Sequence, residues 1–130
     1  MSLFNDYIKA VWAKLNATTG LVGLVYEILE NDQAFPKIWI EDGGADDWSN
    51  KDDSGLEAVI TLHIGSRYEG TKEIRSLMDK CNAALHNASL TLAAGQSVLC
   101  QFDRHDMVID SDGVTRHGVM RFSLLISEVA

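Results

Sequence analysis

Apolar positions along the chain fall into two helical stripes and several alternating runs. Leu3, Tyr7, Ile8, Val11, Trp12 and Leu15 recur at spacings of three to four and one, which places them on one stripe and predicts a helix from residue 3 to about 17. Ser2 can cap its start, and Asn16 to Gly20 stop it. A second stripe, Ile74, Leu77, Met78, Cys81, Ala84 and Leu85, leaves Lys72, Glu73, Arg75 and Lys80 outside. It predicts a helix over 71–85, with Thr71 as N-cap and Asn87 near the exit.

The other runs read as strands. Leu21 to Glu30 is apolar, short and broken by Gly23, so helix and strand both fit; a strand from Leu24 to Leu29 is the preferred reading. Pro36 opens Lys37-Ile38-Trp39-Ile40-Glu41, where Ile38 and Ile40 face one way and Trp39 the other. Leu56 to Arg67 alternates Ala58, Ile60, Leu62 and Ile64 with Glu57, Val59, Thr61 and His63, the pattern of a half-buried strand. Val98 to Val108 and Thr115 to Glu128 flank Asp110-Ser111-Asp112-Gly113, and Asp-Gly between alternating arms predicts a hairpin.

The order is helix, strand, strand, strand, helix, strand, strand. It implies an α+β fold, an antiparallel sheet of about four to five strands packed against two main helices, in one domain over 1–130. At 130 residues, about two-thirds of the unfolded surface can be buried. No apolar run approaches a membrane span, and Met1 to Asp6 has no signal-peptide pattern. Cys81 and Cys100 are too few for a disulfide scaffold and are not spaced as a zinc ribbon, so a cytosolic domain with reduced thiols is expected.

Charge narrows the partners. The chain carries −8, and between Glu41 and Asp53 six acids stand against one base, Lys51. That surface repels phosphate and argues against groove-reading of nucleic acid, though DNA can slide past such a wall. The acidic stretch, with Trp48 at its centre, reads either as a solvated loop or as a mobile segment that orders on a partner, Trp48 being its anchor. Asp42, Asp46, Asp47, Trp48, Lys51, Asp52 and Asp53 are the candidate protein-interface residues.

Candidate chemistry is thin. His63, His105 and His117 fall on strands but lack metal-pair spacing. Asp110-x-Asp112-Gly113 starts like a calcium loop, yet Thr115 and Arg121 occupy the positions of its Gly and Glu. Ser66, Ser76, Asp79 and His86 come without a nucleophile elbow, and Gly65 to Gly70 lacks the lysine of a phosphate loop. The expectation is no enzyme, no cofactor, no metal and no catalytic residue.

The order of several segments carries a resemblance. Phe35-Pro36-Lys37-Ile38-Trp39-Ile40 is followed by Asp47-Trp48-Ser49-Asn50-Lys51, then by Gly55 to Ile64. Gly70-Thr71-Lys72-Glu73 opens a helix ending Ala84-Leu85-His86, with Leu90-Thr91-Leu92 beyond it and Thr115-Arg116-His117-Gly118-Val119-Met120-Arg121-Phe122 near the end. From about residue 5 to 127 the chain resembles the tail-completion, or tail-terminator, proteins of long-tailed phages, prophages and gene transfer agents.

The resemblance implies a structural virion protein, assembled in the bacterial cytoplasm and then carried in the tail particle. Such proteins form a ring, usually a hexamer, on the head-proximal end of the tail tube. The ring ends tube polymerisation and docks the head. The implied partners are copies of itself, the tail tube protein and a head-tail connector protein, with DNA passing through the lumen and no membrane contact. Six copies at −8 each carry −48, which suits a lumen that must not bind DNA. The alternative is an acidic inhibitor or immunity-type protein that binds one basic partner as a monomer; a small enzyme is a third reading.

Overall fold

The computed structural model describes residues 3–26, 34–49, 51 and 54–127. In chain order the elements are α1 (Leu3–Asn16), β1 (Val25–Tyr26), β2 (Lys37–Asp47), β3 (Gly55–Ser66), α2 (Lys72–Leu85), β4 (Ser89–Thr91), β5 (Ser97–Ile109) and β6 (Arg116–Ser127). The strands form one six-stranded sheet in the order β1-β2-β3-β6-β5-β4, curled as a half-barrel. Every pairing is antiparallel except β1 with β2.

The α+β class and both helices agree with the sequence reading. The strand count does not, because β4 is three residues long and too short to show an alternation. The preferred strand at Leu24–Leu29 is Val25–Tyr26, parallel rather than antiparallel, and positions 27–29 lie outside the described residues, as does Ser2. The four long strands pair as alternation demands, with Ile60 opposite Phe122 and Phe102 opposite Phe122 from the other side.

One face of the sheet carries the core. Ile38, Ile40, Ala58, Ile60, Leu62, Ile64, Met120, Phe122, Leu124 and Ile126 are all buried, each two positions from the next along its strand. Against them α2 buries Ile74, Leu77, Met78, Cys81, Ala84 and Leu85, the whole predicted stripe. From α1 come Tyr7, Val11 and Leu15, while Leu3, Ile8 and Trp12 are half-buried at its margin. Gly118 lets α2 approach closely, since a Cβ there would meet Ile74 Cδ1 and Met78 Sδ at 3.2 Å. Thr71 stands at the N-cap without capping the helix; its hydroxyl instead accepts from Arg75 Nε at 3.2 Å. Asn87 leaves α2 at φ 59°, the left-handed conformation that Asn tolerates.

Candidate assembly surface

The acidic stretch is not a loop for most of its length. Strand β2 continues past Glu41 to Asp47, and its distal half pairs with β3: Ala45 opposite Ala58, Asp46 opposite Glu57, Asp47 opposite Leu56. The expectation that residues beyond Glu41 form a loop is corrected by backbone pairing, which needs no apolar side chains. A bulge between Asp42 and Ala45 admits the extra residue. Gly44 takes φ +93° there, and a Cβ on Gly43 would lie 2.8 Å from the Val59 carbonyl oxygen, so the bulge depends on these two glycines.

Hydrogen bonds fix both ends of this arm. At its root the buried Tyr7 hydroxyl donates to Asp42 Oδ1 at 2.8 Å, and Asp42 Oδ1 also accepts the Gly44 amide at 2.9 Å. Burial, and then the Asp42 carboxylate, hold the Tyr7 hydroxyl pKa above its usual value. At the tip Trp48 N–H donates to the Gly55 carbonyl at 2.9 Å, while Ser49 Oγ donates to Asp47 Oδ1 at 2.6 Å and accepts the Gly55 amide at 3.0 Å. The Trp48 indole lies against Gly55 yet stays 52% exposed. Lys51 is exposed; Asp52 and Asp53 lie outside the described residues. Of the seven candidate interface residues, Asp42, Asp46, Asp47 and Trp48 are therefore brought into one arm.

The sheet face away from the helices holds a second cluster, which sequence reasoning could not assemble without the strand order. Trp39 is opposite His63, and Gly65 is opposite both Lys37 and His117. Trp39 stacks on His63 with centroids 5.2 Å apart and lies 5.4 Å from His117. His63 Nε2 is 2.6 Å from Glu41 Oε1, and His63 Nδ1 is 2.9 Å from His117 Nε2. With both rings neutral, the carboxylate requires the proton on His63 Nε2, so His63 Nδ1 accepts from His117 Nε2–H. Burial, then the neighbouring His63, lower the His117 pKa, and Asp110 only partly opposes them. Below this cluster Phe35 covers Gly65, between Lys37 Nζ at 4.3 Å and Arg67 Cζ at 4.2 Å from its ring centroid.

The remaining candidates are spoken for locally. His105 lies opposite Met120 and near Phe102, apart from His63 and His117. Among the described residues no group of three His, Cys, Asp or Glu is placed to hold a metal ion. Asp112 accepts the amides of Val114 and Thr115 and the Thr115 hydroxyl, at 2.8, 2.8 and 2.6 Å, so its oxygens serve the turn. Ser66 Oγ donates to Glu73, and His86 Nδ1 accepts the Phe102 amide, so neither faces the other as nucleophile and base. Burial raises the Cys81 and Cys100 thiols to about 12 and about 11, which keeps them protonated and unreactive.

No curated protein sequence matches the chain significantly. A solved chain from the virion of a native gene transfer agent particle superposes with a TM-score of 0.80 at 17% identity, covering 97% of this chain and 98% of that one, a likeness of fold. The family model of tail completion protein gp17 matches residues 8–127. With that match covering nearly the whole chain, the protein belongs to the tail completion protein gp17 family and is a structural, non-enzymatic component of a phage-type tail.

Proposed function

We propose that the protein closes as a ring, six copies being the expected number, on the head-proximal end of the tail tube. There it stops tube polymerisation and presents the surface to which the head docks. The observation that carries this reading is membership of the tail completion family over residues 8–127. Its neighbours are then copies of itself, the tail tube protein and a head-tail connector protein, with DNA passing through an acidic lumen. The ring assembles in the bacterial cytoplasm and leaves in the particle.

The arm carrying Asp42, Asp46, Asp47 and Trp48, together with Lys51, Asp52 and Asp53 next along the chain, is the proposed contact with a neighbouring subunit or the tube. Trp48 supplies an apolar anchor, and the acids orient it toward basic groups. Truncating an anchor of this kind costs about 2 kcal/mol or more, a rim acid about 1 kcal/mol or less. Trp48→Ala therefore impairs tail completion far more than Asp52→Ala, with the fold intact. The test is electron microscopy of tails assembled with each variant, scoring tube length and head attachment. Normal, head-joined tails from Trp48→Ala remove Trp48 from the mechanism; absence of the wild-type protein from mature tails removes the function.

A further inference from the structure

Among the described residues the sheet has two incompletely covered edges. On one side β1 pairs only with Ile38 and Trp39, so among the described residues the outer edge of β2 from Ile40 to Asp47 has no strand beside it. On the other side β4 covers only Ser97 to Leu99, and the outer edge of β5 from Asp103 to Ile109 is likewise open. The open halves also expose backbone groups. Ile38 N–H points outward to the Leu24 carbonyl, so Ile40 and Asp42 point outward too, by the alternation of a strand. Past the bulge Trp48 N–H points inward to Gly55, which leaves Ala45 and Asp47 outward. On β5 the Asp110 amide points inward to Thr115, which turns Ile109, Met107 and His105 outward; the Met107 amide is met by the neighbouring Asp106 carboxylate at 2.8 Å.

We infer that these edges receive each other: β2 residues 40–47 of one copy pair with β5 residues 103–109 of the next, joining the sheets across the subunit boundary. The occupant is a second copy, and this rests on the ring reading above. Three observations select it. Strand directions alternate across β2, β3, β6 and β5, so β2 and the β5 of a copy turned about a ring axis run antiparallel. The two open halves lie at opposite levels along the strands, since Lys37 is in the row of Val108 while Asp47 is in the row of Val98. Barrel strands tilt 35–45°, and over four strands about 4.8 Å apart this shifts the meeting register by about four to six residues, the offset the two halves need. Charge disfavours the symmetric alternative more. A β2–β2 contact would oppose Glu41, Asp42, Asp46 and Asp47 to the same four acids, whereas β5 brings Arg104 against Asp103 and Asp106, a segment of only −1.

Met107→Pro tests it, because proline removes one outward amide and leaves the inward ladder intact. Met107→Thr shortens the same side chain but keeps the amide. The expected result is wild-type occupancy of tails by Met107→Thr, and about tenfold lower occupancy by Met107→Pro with an unchanged circular dichroism spectrum. In wild-type protein, hydrogen exchange of peptides spanning 40–47 and 103–109 slows by about tenfold or more in tails relative to the diluted free chain. Full occupancy by Met107→Pro, or protection of only one segment or neither, overturns the pairing. Failure of the ring reading looks different: the wild-type chain itself is missing from tails.

Discussion

The two long hairpins turn at opposite ends of the sheet and are held in opposite ways. The β5–β6 hairpin reverses at Asp110 to Thr115 through contacts its own turn supplies: Asp112 accepts three donors from Val114 and Thr115, and Gly113 takes φ +73°. The β2–β3 hairpin draws, among the described residues, on supports beyond the contacts at its own tip. Its acidic arm stands on a two-glycine bulge, on Tyr7 from α1, and on a tip stitched by Ser49. Apart from Arg67 Nε, which donates to the Thr115 hydroxyl at 3.1 Å, the first hairpin is held locally, and the other depends on distant parts of the chain. A local turn should survive loss of its surroundings, whereas the arm should fail when a remote support is removed.

The bulge offers the strongest way to break that contrast. At Gly43 the nearest obstacle to a side chain is backbone, the Val59 carbonyl oxygen at 2.8 Å, and it cannot rotate aside. Gly43→Val is expected to cost about 3 kcal/mol, the upper range for overpacking, and to unpair residues 44–48. Thermal melts and hydrogen exchange of the arm check this. The equivalent insult to the other hairpin, Gly113→Ala, meets nothing within 4 Å and pays only for its positive φ, about 1 kcal/mol, without loss of the β5–β6 pairing.

Between these in size lies Tyr7→Phe. It keeps the buried ring and removes only the hydroxyl that reaches Asp42, 35 positions along the chain. A bond to a charged group is worth about 1.5 kcal/mol at the low end, and Asp42 is exposed enough to recover water. The melting midpoint should fall by a few degrees, and amide exchange should accelerate in residues 42–48 while residues 108–116 are unaffected. Equal acceleration in both hairpins would mean that the arm has no special dependence on α1.

How much was legible follows the same division. The stripe from Ile74 to Leu85 and the alternation of Leu56–Arg67 and Thr115–Glu128 were readable because burial writes itself into the order of apolar residues. So was the Asp-Gly turn, whose chemistry is local. The distal half of β2 was not. Its residues are exposed on the sheet, its pairing is made by backbone, and a pattern of side chains carries no trace of that. The cluster of Trp39, His63, His117 and Glu41 failed for a different reason: the two histidines stand out in sequence only as strand residues without metal-pair spacing, and only the order β2-β3-β6 places all four side by side. Trp48 was singled out by composition alone, and the structure adds that it lies on Gly55 at the end of a paired arm rather than in a loop.

The smallest expected effect sharpens the contrast from the local side. The Asp112 carboxyl is held down to about 2 by the Thr115 hydroxyl first, then by the Thr115 and Val114 amides. In the unfolded chain an aspartate titrates near about 3.9, so folding favours the carboxylate. The contribution is therefore complete above pH about 4, and it is lost as the pH falls through that interval toward 2. The carboxyl resonance of Asp112 in a nuclear magnetic resonance titration should show a midpoint near 2. Thr115→Val removes the leading donor but leaves both amides, so the midpoint should rise part of the way toward the ordinary value. Asp112→Asn should abolish the acid sensitivity of the Val114 and Thr115 amides. Gly43→Val, by contrast, should leave the Asp112 midpoint where it was, because that turn draws nothing from the arm. A midpoint that moves with Gly43→Val would show that the two hairpins are coupled through the sheet after all.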